Sequence, residues 1–260
     1  NDSIWLECTS NRFPAGYIGD FTDNRTIFLI TPEGGKLSKT PAYPTSENCI
    51  LTRSKVSINN NLDAEISRSK KFQGIFFGKE YMSYMMRDDE DRKRHLLNSF
   101  DLSVFSLNEY RFETRLEQKP DFTEFVSLSD DAFLVPSGDY IPLPLRTVCN
   151  KIDFPPRLRN RSLSMEIPRG STLIDSVSYS LPEGLTIFEK PAENLIESKF
   201  GRFSSSLKES DGKLIYSRFL EIYPGKYSPE EYTDYYTFFS KVRNCTDQIL
   251  MLKRTSPTKP

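Results

Sequence analysis

Strict two-residue alternation of apolar and polar side chains, returning in one segment after another, most limits the folds open to this chain. Tyr110-Arg111-Phe112-Glu113-Thr114-Arg115-Leu116 keeps the alternation without a break. Val56 and Ile58 keep it on one side of Asn59-Asn60-Asn61, and Leu62, Ala64 and Ile66 on the other. That pattern predicts a hairpin about a turn tolerant of positive φ. Val177, Tyr179 and Leu181 share one face of a further strand, and Leu214–Ile222 pairs with the Phe203–Leu207 segment about Asp211-Gly212. A period of two sends successive side chains to opposite faces, so the expectation is sheets with one buried and one wetted face. Few hydrophobic residues (37%) with many aromatics (13%, from 19 Phe and 13 Tyr) suit such sheets.

Further strands are expected at Thr26–Ile30 and Lys36–Thr40 about Pro32-Glu33-Gly34-Gly35, and at Leu102–Val104, Phe122–Leu128, Ala132–Val135, Leu185–Ile187 and Ile249–Leu252. Pro142, Pro144, Pro155 and Pro156 punctuate a loop-rich stretch and confine any strand there to an edge or a start. Two stretches are helical instead. Gly78–Phe100 carries Tyr81, Met82, Met85 and Met86, then a charged run, then Leu96-Leu97, and is read as one long internal helix, amphipathic only at its ends. The second opens at Ser228 as N-cap, with Pro229 in the first turn and Glu231 completing a capping box. Tyr232, Tyr235, Tyr236, Phe239 and Val242 share its inner face and are read as core.

The expected fold class is mainly β (α+β). Residues 1–48 end one domain, 49–254 form an antiparallel β-sandwich with one internal and one C-terminal helix, and 255–260 form a disordered tail. With 35 basic and 36 acidic residues the net charge is −1, which gives no long-range field for nucleic acid or an anionic membrane. No apolar run approaches the roughly 20 residues of a membrane span.

Candidate chemistry is sparse. Cys8, Cys49, Cys149 and Cys245 form no CxxC pair, so no zinc ribbon or redox dithiol is expected, nor any other metal or cofactor site. The single histidine, His95, lies beside the run Arg87–Arg94 and reads as a solvated helix residue. Asn24, Asn160 and Asn244 open Asn-x-Ser/Thr triplets that matter only in a secretory eukaryotic context. Glu7 is the one candidate catalytic group: an acid at the end of the apolar strand Ile4-Trp5-Leu6, where a triad acid accepts an imidazole N–H and holds the ring's tautomer. Trp5 would shield that carboxylate from water and Thr9 would brace it.

Ile4–Ser10, with Pro14–Arg25, Gly34-Gly35 and Thr40-Pro41, resembles the end of the transglutaminase-like core in bacterial proteins of the DUF3857/transglutaminase-like/DUF3858 type, which are classed with cysteine peptidases. Leu181–Gly184, Gly201–Phe203, Leu214–Arg218, Tyr227–Tyr232 and Ile249–Leu252 look like the DUF3858 region. The resemblance implies a Cys, a His and an acid acting together, with Glu7 where the family usually carries Asp. No position here matches the family's Cys or His, so it implies a non-catalytic C-terminal portion, inactive alone, with nucleophile and base encoded upstream. The implied partner is that upstream transglutaminase-like segment, with a peptide or protein substrate, in the periplasm or cell envelope. A rival reading is a surface adhesion or carbohydrate-binding sandwich using exposed aromatic rings.

Overall fold

A computed structural model of the chain describes residues 4–6, 8, 11–102, 105–117, 119–158 and 160–255. It opens with a two-stranded ribbon, β1 (Thr26–Thr31) and β2 (Gly34–Lys39). A long hairpin follows, β3 (Cys49–Ile58) and β4 (Ala64–Gln73), then two helices, α1 (Ile75–Met85) and α2 (Asp89–Leu97). Next come β5 (Ser106–Arg115), β6 (Asp121–Asp130) and β7 (Tyr140–Pro144). Beyond a long connection lie β8 (Met165–Ile167), β9 (Ser171–Ser180), β10 (Leu185–Glu189) and β11 (Asn194–Ser198). The hairpin β12 (Gly201–Ser210) and β13 (Lys213–Ile222), then β14 (Gly225–Tyr227), α3 (Tyr232–Thr246) and β15 (Ile249–Arg254) complete the fold.

The mainly-β expectation holds. Eight strands join in one sheet of order β11-β12-β13-β9-β3-β4-β6-β5. All its pairings are antiparallel except β3 with β9, which run parallel and weld two four-stranded halves together. A parallel neighbour needs a long crossover, and the connection from β7 through β8 supplies one. A three-stranded sheet of order β10-β15-β7 lies over part of the buried face: Ile141, Leu143, Leu250 and Leu252 pack with Val56, Ile66, Leu128 and Tyr179. Pro142 and Pro144 sit in β7, at the edge of that small sheet, where a missing N–H costs least. Two smaller clusters cover the rest of the face. Phe238, Phe239 and Val242 of α3 meet Phe203 and Leu220, while Phe77 and Tyr84 of α1 meet Phe72, Phe122 and Tyr17.

Local chemistry accounts for the departures from expectation. The internal helix is two helices, because Asp88 accepts a hydrogen bond from the Asp91 N–H at 2.8 Å and starts α2 afresh. The terminal helix begins at Tyr232 rather than Ser228. Glu231 does reach back to the Ser228 N–H at 2.6 Å, but this closes a turn before the helix. Positive φ in the β3–β4 turn falls on Leu62, while Asn59 Oδ1 accepts from the N–H groups of Asn61 and Asp63. Asp211 and Gly212 both take positive φ, as a two-residue hairpin requires. Ala132–Val135 is turn and loop, not strand. Of the strand expected at Leu102–Val104, positions 103 and 104 lie outside the described residues, as do 256–260 of the expected tail. Among the described residues no helix is long and apolar enough to cross a membrane.

One register row crosses the buried face of the large sheet. From β6 to β11 it reads Glu124, Lys70, Thr52, Asp175, Arg218, Ser205 and Asn194, each directly opposite the next. The row on one side is Phe122, Phe72, Ile50, Leu173, Leu220 and Phe203. Two rows away on the other side run Leu128, Ile66, Val56, Tyr179 and Leu214. A polar band therefore lies between apolar clusters, with Asp175 and Arg218 at its centre, 1% and 3% exposed. Arg218→Met leaves the Asp175 charge buried and is expected to cost about 3–5 kcal/mol in guanidinium denaturation. Asp175→Leu combined with Arg218→Met is expected to recover most of that loss. A single-mutant cost below about 1 kcal/mol would show that the pair does not hold the sheet.

Candidate functional site

The acid proposed from sequence sits in the amino-terminal segment. Glu7 and Thr9 lie outside the described residues. Trp5 is half-buried and joins Ile4, Ile18, Pro41, Ala42 and Tyr43 around an apolar cleft of about 420 Å³, with Lys119 at its rim. Tyr43 Oη accepts the Ile18 N–H at 3.2 Å, and burial raises its phenol above the ordinary pKa.

Two of the contacts that anchor this segment to the sandwich involve Tyr17 and Asp23. Tyr17 Oη accepts the Gly78 N–H at 3.0 Å, and a Cβ at Gly78 would stand 2.3 Å from that oxygen, so only glycine fits. Arg169, in the loop before β9, donates Nε to Asp23 Oδ1 at 2.6 Å and Oδ2 at 2.9 Å; Asp23 is 1% exposed. Beyond these anchors in the chain the β1–β2 ribbon stands bare. Phe28 pairs directly with Leu37, and Ile30 lies two residues along the same face. Their exposures are 67%, 75% and 82%, and Ile4, Leu6 and Phe21 nearby in sequence are also exposed.

The thiols are poorly placed for nucleophilic work. Burial raises the pKa of Cys49 and Cys245, and raises that of Cys149 further with Asp175 adding to the effect. Cys149 Sγ donates to the Leu145 carbonyl at 3.5 Å. Cys8 is exposed. His95 is not a bare surface residue: its Nε2 lies 3.7 Å from Glu80 Oε2 and its ring stands edge-on to Tyr84 at 5.4 Å.

The sheet also gathers a polar cluster not anticipated from sequence. Asp175 Oδ1 accepts the backbone N–H of Asn150 at 2.7 Å and its Nδ2 at 2.9 Å, while Oδ2 accepts Arg218 Nε at 2.8 Å and Nη2 at 2.7 Å. Arg218 Nη2 also donates to the Asn150 carbonyl at 2.5 Å. Burial opposes the Arg218 charge, but Asp175 outweighs it and the pKa is raised. Further along the row, Tyr84 Oη donates to Glu124 Oε1 at 2.8 Å, and Arg68 Nη2 lies 3.7 Å from Oε2. Arg68 also donates to Ser99 Oγ at 2.9 Å and lies over the Phe100 ring at 3.7 Å. The signal that would have found these residues is parity. Asp175 shares the buried parity of Leu173, Val177 and Tyr179, and Arg218 that of Leu214, Tyr216 and Leu220. Arg68 and Lys70 likewise follow Ala64 and Ile66.

Residues 140–252 match DUF3858. That family is described as a domain of unknown function with a solved structure, and the matched stretch runs from β7 into β15. Asn150, Asp175 and Arg218 lie inside the DUF3858 stretch, whereas Thr52, Arg68, Lys70 and Glu124 lie outside it. No curated protein matches the chain. Among solved structures, a "putative protease" from Parabacteroides distasonis ATCC 8503 aligns at 7% identity and a TM-score of 0.33, covering 80% of this chain and 100% of that one. A likeness at that level decides neither fold nor chemistry.

Titration with a disulfide reagent on the native protein is expected to modify Cys8 first, with Cys49 and Cys149 reacting only on unfolding. Rapid native-state reaction of Cys149 would contradict the burial just described.

Proposed function

We propose that this chain is the non-catalytic C-terminal portion of a transglutaminase-like cysteine peptidase. In this reading it braces the acid side of the active site and offers its β-sandwich to the substrate or the catalytic lobe. The observation that carries the reading is the bare apolar face of the ribbon. A lone two-stranded ribbon is marginal in water, and exposing a Phe, an Ile and a Leu on one face makes it worse. Covering each such side chain is worth about 1.5–3 kcal/mol, so the face fits the packing surface of a neighbouring lobe. It falls in the stretch, Ile4–Pro41, whose residues resemble the end of a transglutaminase-like core.

Two further observations support the reading. The DUF3858 match covers the sandwich's carboxyl-terminal half, and DUF3858 is one of the regions that accompany such cores in the resemblance. Cys49, Cys149 and Cys245 have thiols that burial holds in the protonated form, as suits a chain that borrows its nucleophile. Glu7 then accepts the imidazole N–H of the lobe's histidine, with Trp5 and Thr9 beside it.

The 260-residue chain alone is expected to show no thiol-dependent hydrolysis of a fluorogenic peptide. Turnover that iodoacetamide abolishes would overturn the reading. Ile30→Asp changes the stability of the isolated chain by no more than about 0.5 kcal/mol, because the side chain is already in water. In a protein that carries the catalytic lobe, the same substitution is expected to lower turnover. Glu7→Gln there should reduce turnover by roughly 10²–10⁴. Unchanged turnover in a folded Glu7→Gln variant would remove that residue from the mechanism.

A further inference from the structure

A cavity of about 350 Å³ borders Arg218 and Asn150 of the polar cluster. Its walls are the turn after α2 (99–101), the connection after β7 (146–154) and the end of α3. Two of its lining residues carry buried polar atoms that no described residue satisfies, Asn150 Oδ1 and Thr246 Oγ1. The two residues are 6% and 4% exposed. The orientation of the Asn150 amide is forced, because a carboxylate can only accept. Asn150 gives both its backbone N–H and its Nδ2 to Asp175, and its backbone carbonyl accepts from Arg218. Oδ1 is the acceptor left over. Buried polar groups are paired as a rule, so two unpaired ones on a single cavity call for a partner from outside the chain.

The charges around the cavity do not favour an ion. Three cations, Arg146, Lys151 and Arg218, line it with three carboxylates, Asp101, Asp153 and Asp247. Arg146 bridges Asp101 and Asp247 at 3.2 Å each, and Arg218 is held by Asp175. Lys151 Nζ donates to the Asn98 and Phe100 carbonyls at 3.4 Å. Asp153 forms no ion pair among the described residues, and Arg243, behind the lining, lies over the Phe154 ring at 4.4 Å. Among the described residues no group of ligands could hold a metal ion. A balanced surrounding selects a neutral ligand rather than an anion or a cation.

That ligand must both give and take hydrogen bonds. Asn150 Oδ1 and Asp153 accept, Arg146 donates, and the Thr246 hydroxyl does either. Half-buried Phe154 adds an apolar wall. A sugar ring has matching parts: each hydroxyl is donor and acceptor at once, and its C–H groups are apolar. The volume is near the lower end of the roughly 300–1,000 Å³ typical of small-molecule sites, which suits one ring rather than a chain.

We propose that this cavity binds a single neutral sugar ring, with Asn150 Oδ1 and Thr246 Oγ1 taking up its hydroxyls. The site does not rest on the peptidase reading, since neither Glu7 nor the ribbon takes part.

The test is saturation-transfer NMR on the full chain with glucose, galactose, mannose and N-acetylglucosamine at millimolar concentration. At least one is expected to bind, and its affinity to fall at least about tenfold in Thr246→Val. That variant removes an unpaired buried hydroxyl, so its melting temperature should equal or exceed wild type. Asp153→Asn, at an exposed position, should also weaken binding with the fold intact. No transfer from any of the four sugars overturns the proposal. So does an affinity unchanged in Thr246→Val, which would place the sugar elsewhere. A crystal grown with the binding sugar that shows only ordered water against Asn150 and Thr246 overturns it too, as does binding of an acetylated amino-acid amide here in preference to every sugar.

Discussion

The Asp175–Arg218 pair is the constraint around which the rest of the sandwich is arranged. Each charge is almost fully removed from water, and an uncompensated charge at such a depth would cost several kcal/mol. The pair is tolerated because its geometry is saturated: two donors from Arg218 on one oxygen and two from Asn150 on the other. That requirement pulls Asn150, and with it the connection after β7, down onto the sheet. Covering elements must therefore part above the row. The three-stranded sheet lies to one side, and α1 and α3 to the other. This is why the buried side chains fall into three clusters instead of one.

The same row explains how the two halves of the large sheet are joined. They meet only where β3 runs parallel to β9, and at that seam the row passes from Thr52 to Asp175. The DUF3858 half brings a closed unit of cation, carboxylate and amide. The other half brings Arg68, Lys70 and Glu124, with Glu80 of α1 as a further carboxylate acting on Lys70.

How much of this could be read beforehand depended on parity and on local turn chemistry. The alternation at Val56–Ile66, Tyr110–Leu116 and Val177–Leu181 located strands correctly because one face of each is wet. The Asp211-Gly212 turn was legible for the same local reason. The extension of β3 back to Cys49 and of β4 on to Gln73 was not, since Thr52, Ser54, Arg68 and Lys70 interrupt the apolar parity there. Two of the residues that hid the strands, Thr52 and Lys70, belong to the polar row, and Ser54 and Arg68 to the row beside it. A charged side chain in register with buried aliphatics reads as a strand end, whereas here it marks the centre. The break between α1 and α2 was concealed differently: Asp88 and Asp91 look like two more members of a charged run until one caps the other.

The amino-terminal segment is shaped by the opposite circumstance. The sandwich gathers its buried apolar residues into packed clusters; in the ribbon, Phe28, Ile30 and Leu37 are bare. Such a ribbon could not hold its place by its own burial. It is held by what precedes it in the chain, the Tyr17–Gly78 contact and the Arg169–Asp23 pair. Those anchors reach into the two halves of the sandwich separately: Arg169 precedes β9, and Gly78 lies in α1, which packs on β4 and β6. A lobe seated on the ribbon would therefore bear on both halves at once. In the function proposed above, such support would serve an orienting carboxylate at Glu7, since a triad acid works by holding an imidazole still.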